Sequence, residues 1–172
     1  MITLVTGGSK CGKSGYAEKI LESFSGQKYY VATMNPIGDD ADDIIARHRE
    51  RRRGKNYITV ECPSGIDKLD LPVGCGVLLE CMGNLCANEM YISSSVLHPA
   101  DMIIDNIKQL AETASELVIV TNEVGSDGNR YSIELMAFVS EIAAINSRIA
   151  ELADNVVECV YGIPVALKGQ LV

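Results

Sequence analysis

The chain has 172 residues, 47% of them hydrophobic and 22% charged, with a formal net charge of -8. That length suits one domain with a sizeable core, and 15 Lys and Arg against 23 Asp and Glu argue against a protein that coats nucleic acid or an anionic membrane. No apolar run reaches the roughly 18 residues of a spanning helix, and Ile2–Val5, with no basic region before it, is too short for a signal peptide.

Short apolar runs alternate with helix-period segments, which predicts an α/β domain over residues 1–172 with a largely parallel central sheet flanked by helices. Ile2 to Thr6 reads as the first strand, and Ala17, Ile20, Leu21 and Phe24 give a helix over Lys13–Phe24 one buried face. Strands follow at Tyr29–Thr33 and Tyr57–Glu61, then Val77-Leu78-Leu79, an unbroken apolar run that suits a strand covered on both faces. Met102, Ile103, Ile107, Leu110 and Ala114 mark a helix leading into a strand at Leu117–Thr121. A long helix is expected from Tyr131 to Leu152, with Leu135, Phe138, Val139, Ile142 and Ile149 facing inward. Val156–Tyr161, Gly162-Ile163-Pro164 and Val165–Lys168 predict a closing antiparallel hairpin. The cysteines at positions 11, 62, 75, 81, 86 and 159 form no CxxC pair, so a reduced, cytoplasmic protein without a zinc site is expected.

Gly7-Gly8-Ser9-Lys10-Cys11-Gly12-Lys13-Ser14 matches GxxxxGK[ST] directly after a strand and at the opening of a helix, the context that gives this motif its meaning. Glycines let backbone N–H groups wrap phosphate oxygens, and the helix N-terminus adds partial positive charge. Lys13 suits the β- and γ-phosphates, and the Ser14 hydroxyl suits Mg2+. Such a site also needs an acid at the end of a neighbouring strand. Glu80 and Glu123 have that placement, and an ordinary polar strand exit is the alternative for each.

From Arg47 to Lys55 the chain reads RHRERRRGK, six of its fifteen basic residues within nine positions, just after Asp39, Asp40, Asp42 and Asp43. A solvated helix face explains such a run equally well. Ala41, Ile44, Ile45 and His48 share one helical stripe, so His48 fits the edge of a core face. It also fits a nucleophile that attacks the α-phosphorus of a nucleoside triphosphate, with Arg47, Arg49, Arg51, Arg52 and Arg53 keeping the imidazole neutral and meeting the pyrophosphate charge. His98, before Pro99, reads as an exposed structural residue. RNA binding through the basic run would need aromatic stacking positions, and only Tyr57 lies near.

These segments together resemble the bifunctional adenosylcobinamide kinase/adenosylcobinamide-phosphate guanylyltransferase family. The resemblance covers nearly the full length through LVTGGSKCGKS (Leu4–Ser14), YVATM (Tyr30–Met34), IARHRERR (Ile45–Arg52), LLEC (Leu78–Cys81) with Asn88 after it, VTNEVG (Val120–Gly125) and LADNVVECVYGIPVALK (Leu152–Lys168). It implies a RecA-like P-loop NTPase fold and a homotrimer. It also implies phosphorylation of the aminopropanol hydroxyl of adenosylcobinamide, then transfer of GMP from GTP through a guanylylated histidine, with GTP and ATP as nucleotide substrates. By correspondence His48 becomes the nucleophile, and Thr33, Met34, Arg49, Glu50, Arg51, Arg52, Glu61 and Glu80 line the nucleotide site with Gly7 to Ser14. The chain departs from the family pattern at Lys10 and Cys11, at Ile44, after Gly125, and at Ser140 and Ser147. A single-activity P-loop kinase and a non-catalytic nucleotide-sensing module are the competing readings.

Overall fold

The apolar run Val77-Leu78-Leu79 lies inside a seven-stranded sheet, and strict alternation explains why it is unbroken. Val77 and Leu79 join the core on one face while Leu78 joins the core on the other, all three fully buried. The computed structural model describes residues 1–35, 54–93, 97–125 and 131–171. Its strands are β1 (Ile2–Thr6), β2 (Lys28–Ala32), β3 (Tyr57–Glu61), β4 (Cys75–Glu80), β5 (Ala114–Val120), β6 (Asn155–Val160) and β7 (Ile163–Lys168). They lie in the order β3-β2-β4-β5-β1-β6-β7. All neighbouring pairs are parallel except β6 and β7, the closing hairpin.

The helices described are α1 (Lys13–Ile20), α2 (Met82–Asn88), α3 (Ala100–Thr113) and α4 (Ile133–Leu152). Ala17 and Ile20 of α1 pack with Val5, Tyr30, Leu78 and Val118 on one face of the sheet. Ile103 and Ile107 of α3, Ile142 and Ile149 of α4 and Leu85 of α2 fill the larger core on the other face. Among the described residues one helix lies on one side and three on the other, so the sheet is shielded on both faces, as parallel pairing requires. Among the described residues no helix is long and apolar enough to cross a membrane.

The first helix is shorter than its periodicity predicts. It ends at Ile20, and Leu21–Ser23 tighten into a 3-10 turn. On α4, Ile142 and Ile149 are buried as expected, but Leu135 is 41% exposed and lines an open groove with Tyr91 and Phe138. The helix starts at Ile133, two residues before Leu135, capped by the Ser132 hydroxyl, which accepts from the Leu135 N–H at 3.3 Å. That first turn projects past the core. The stripe Ala41, Ile44, Ile45 and His48 lies outside the described residues.

Two buried carboxylates serve the framework. His98 is 81% exposed in its side chain, yet its Nδ1 lies 2.8 Å from a Glu141 oxygen. The other Glu141 oxygen accepts from the Ala100 N–H at 3.1 Å, at the start of α3. On α1, Glu18 pairs with Lys55 and holds the entry to β3. At the chain end, the Lys168 ammonium donates to the carbonyls of Ala150 and Glu151 at 3.0 and 2.9 Å, satisfying the last turn of α4. The β6–β7 turn is Tyr161-Gly162, both with positive φ, 51° and 83°. A two-residue hairpin turn of that hand matches the twist of its strands.

Candidate functional site

The carboxyl ends of β1, β2, β4 and β5 meet at one edge of the sheet. Val5 stands opposite Val120, Glu80 opposite Val120, and Ala32 opposite both Glu80 and Glu61, so these strand ends are level. Parallel sheets gather ligands at that edge. The loop Gly7–Gly12 rises from β1 and delivers Lys13 and Ser14 on the first turn of α1.

Gly7 takes φ +136°, and a Cβ there would stand 2.5 Å from the Cys159 carbonyl oxygen, so only glycine fits between β1 and β6. Gly8, Ser9, Lys10 and Gly12 are exposed, while Cys11 is half-buried. Three tethers shape the loop from outside: the Gly162 N–H donates to the Cys11 carbonyl at 2.9 Å, the Glu123 N–H to the Gly7 carbonyl at 3.3 Å, and the Lys13 side chain closes it from beneath. Lys13 is buried, and its Nζ donates to the carbonyls of Gly7 and Gly8 at 3.0 and 2.5 Å.

The Ser14 hydroxyl donates to Glu80 Oε1, and the Tyr30 hydroxyl donates to Glu80 Oε2. Glu80 therefore sits under the loop, held from α1 on one side and from β2 on the other. Glu61 and Glu123 are exposed at the exits of β3 and β5, and the Glu123 backbone N–H is bound to the loop. Met34 is half-buried after β2. His48, Arg49, Glu50, Arg51 and Arg52 lie outside the described residues.

Thr33, expected at the nucleotide site, has its side chain turned into the protein. It is fully buried, its hydroxyl lies 2.9 and 2.8 Å from the carbonyls of Glu80 and Cys81, and it accepts from the Cys81 N–H at 2.6 Å. The Thr33 carbonyl in turn accepts from the Asn88 side-chain amide at 2.8 Å. Its polar groups are spent inside the protein, so its bearing on the site runs through the backbone of Glu80.

Four residues were not singled out from sequence as part of the site: Tyr30, Thr121, Asn122 and Asn146. The Thr121 hydroxyl donates to Asn146 Oδ1 at 2.6 Å, and the Asn146 amide donates to the Asn122 carbonyl at 3.2 Å, pinning the exit of β5 to α4. Asn122 reaches the Cys81 sulfur at 3.3 Å. Burial pushes the Cys81 thiol up, against the pull of the Asn84 and Gly83 N–H groups, and burial also raises Cys159. Both remain neutral thiols at physiological pH, and all six cysteines are free.

No cluster of three or more His, Cys, Asp or Glu side chains able to hold a metal by themselves occurs among the described residues. The Ser14–Glu80 pair still suits Mg2+. It offers hard oxygen ligands, and Mg2+ commonly takes one or two protein oxygens with the rest from phosphates and water. By donating its proton to Glu80, Ser14 keeps its oxygen lone pairs available for a cation.

A family model described as cobinamide kinase / cobinamide phosphate guanyltransferase matches residues 3–167. The chain belongs to this family. It is 32% identical over 184 aligned positions to the bifunctional adenosylcobalamin biosynthesis protein CobU of Salmonella typhimurium, covering 98% of this chain and 100% of that protein. The Escherichia coli protein of the same name is also 32% identical, over the same shares. The CobP protein of Pseudomonas aeruginosa is 25% identical over 99% of both chains. Among solved structures, the flagellar accessory protein FlaH of Methanocaldococcus jannaschii shares the fold, with a TM-score of 0.51 at 14% identity over 98% of this chain and 78% of that one. The family defines the enzyme as a cobinamide kinase and cobinamide phosphate guanylyltransferase that uses nucleotide substrates.

Proposed function

We propose that one domain spanning residues 1–172 carries both reactions, in a homotrimeric, cytoplasmic enzyme of adenosylcobalamin biosynthesis. The observation that carries this reading is the P-loop with buried Lys13 bound to its carbonyls and, next in sequence, Ser14 bonded to Glu80. In the kinase step the aminopropanol hydroxyl of adenosylcobinamide attacks the γ-phosphorus of ATP or GTP. The bond to the β,γ-bridging oxygen breaks, the nucleoside diphosphate leaves, and the hydroxyl proton is lost. Lys13 meets charge on the β- and γ-phosphates, and the loop N–H groups hold the phosphate oxygens. Ser14 and Glu80, with Glu123 as a further acid at the same edge of the sheet, would hold Mg2+, which would supply charge neutralisation on the phosphates.

In the guanylyltransferase step His48 forms a bond from an imidazole nitrogen to the α-phosphorus of GTP, and pyrophosphate leaves. The phosphate of adenosylcobinamide phosphate then takes the GMP, giving adenosylcobinamide-GDP and free His48. Arg49, Arg51 and Arg52 suit the pyrophosphate charge, Glu50, Met34 and Glu61 complete the surroundings, and Thr33 contributes by fixing the backbone of Glu80. Support for His48 is the resemblance of IARHRERR (Ile45–Arg52) to the family's histidine segment, within the residues 3–167 that the family model matches.

Incubation with GTP labelled at the α-phosphate tests this. The expected product is protein-bound GMP in an acid-labile, base-stable phosphoramidate that is absent from His48→Ala. Equal labelling of that variant removes His48 from the role.

A further inference from the structure

Tyr30 places a phenol where its surroundings ask only for an apolar ring. It lies mid-way along β2, opposite Leu78 of β4, and is 3% exposed. Around it are Leu21, Leu78 and Val118, beneath α1. Its ring meets that of Tyr57 edge-on, with 6.3 Å between centroids. Phenylalanine would supply all of this packing. A buried phenolic O–H has a cost of its own unless it is bonded, so its presence points to the bond it makes.

That bond goes to Glu80. Side chains alternate along a strand, so Leu78 and Glu80 share a face, and Tyr30 shares it across the pairing with Leu78. From there its hydroxyl reaches Oε2, while Ser14 donates to Oε1. A carboxylate held by one donor still swings about its last torsion, which is broad. Held by two donors on separate oxygens, from separate elements, it has one orientation. A carboxylate has about four lone-pair sites, so two donated bonds leave the others aimed in fixed directions. The Ser14 proton is fixed in turn, because the oxygen that receives it cannot turn away.

We propose that Tyr30 is a positioning residue for the metal–nucleotide complex: its hydroxyl locks the Glu80 carboxylate and, through it, the Ser14 hydroxyl. The proposal rests on the P-loop reading of the site given above. It separates two properties that a merely structural tyrosine would not separate, namely binding of nucleotide alone and binding of the divalent cation to the nucleotide-loaded protein.

The test uses Tyr30→Phe in the full chain, with a fluorescent GTP analogue for nucleotide affinity and electron paramagnetic resonance of Mn2+ for the cation. Affinity for the analogue without divalent cation should stay within about twofold of the parent. The Mn2+ concentration that half-saturates the nucleotide-loaded protein should rise about five- to tenfold, the size of one ordinary hydrogen bond, since the cation senses the loss only through Glu80. A parent-like Mn2+ response in Tyr30→Phe overturns the proposal. Mn2+ titrations at a temperature where circular dichroism shows Tyr30→Phe folded keep the question open to refutation if that variant melts early, and a double-mutant cycle with Glu80→Gln adds a second arm. Adding Tyr30→Phe to Glu80→Gln should raise the Mn2+ requirement no further, and an independent, additive rise overturns it. Lys13→Ala distinguishes the two levels. If that variant binds nucleotide as the parent does, the P-loop reading falls and this proposal with it. If it loses nucleotide while Tyr30→Phe keeps the parent Mn2+ response, only the Tyr30 proposal falls.

Discussion

The carbonyl oxygen of Cys159 occupies the space beside Gly7 so closely that an added Cβ would stand 2.5 Å from it. That oxygen is backbone in β6, next to β1, and cannot yield as a flexible side chain would. Gly7→Ala adds a second fault, because φ +136° is closed to L side chains. The variant should lose about 2 kcal/mol or more in urea unfolding and most of its nucleotide affinity. Parent-like values for both would show that the loop relaxes without β6.

Lys13→Ala removes the cation beneath the loop but leaves the Gly7 carbonyl its bond from the Glu123 N–H. The fold should persist, with kinase turnover about 100- to 1000-fold lower, as for loss of a preorganised charge-stabilising donor. Steady-state assay of cobinamide phosphorylation with a circular-dichroism melt separates the two effects. A turnover loss matched by unfolding would contradict the assignment.

Asn88 is 5% exposed, and its amide donates at 2.8 Å to the carbonyls of both Thr33 and Pro63, joining α2 to the exits of β2 and β3. Asn88→Ala leaves the buried Thr33 carbonyl and the half-buried Pro63 carbonyl without this donor and should cost about 1–3 kcal/mol in chemical unfolding. Asn88→Asp keeps the shape but cannot donate, so it should be no better. Full stability in the aspartate variant would contradict the bonding.

Sequence reasoning succeeded where one periodicity or one motif carried the information. β3 was anticipated residue for residue, the run Val77-Leu78-Leu79 marks β4, and the strand–loop–helix setting identifies the P-loop. It is silent where a polar residue works inside. Asn88 and Thr33 look like surface or ligand groups in a linear reading, and only the packing of α2 against two strand exits shows that their bonds are internal. α2 itself went unforeseen, since Gly83, Asn84 and Asn88 are poor helix formers and the helix is held by tertiary contacts. Tyr30 was hidden for the opposite reason: an aromatic residue in a strand is ordinary, and nothing local signals that its hydroxyl meets Glu80.

Alkaline pH should weaken the fold in a defined window. Burial, with the Glu141 charge behind it, pushes the Cys86 thiol up to about 12 from its ordinary 9.0. Burial, with Glu18 and Glu22, pushes the Tyr57 phenol up to about 12 from 10.0. Between those limits the unfolded chain releases protons that the folded chain keeps, so stability falls as pH rises above about 9 and continues to fall toward 12. Urea midpoints from pH 7 to 11 should be level at first and then decline, with Cys86→Ser giving a shallower decline. A midpoint that rises with pH would reverse the sign and contradict both shifts.

The hairpin described at the chain end also bears on how the protein should be handled. Its turn donates the Gly162 N–H to Cys11 inside the P-loop, and its last strand sends Lys168 to the end of α4, the helix whose Asn146 holds the exit of β5. The tail is thus a brace for the nucleotide loop from two directions. A purification tag or truncation that unzips β7 would register as poor nucleotide handling in an enzyme whose P-loop sequence is intact, and such a preparation would be mistaken for one with a weak active site.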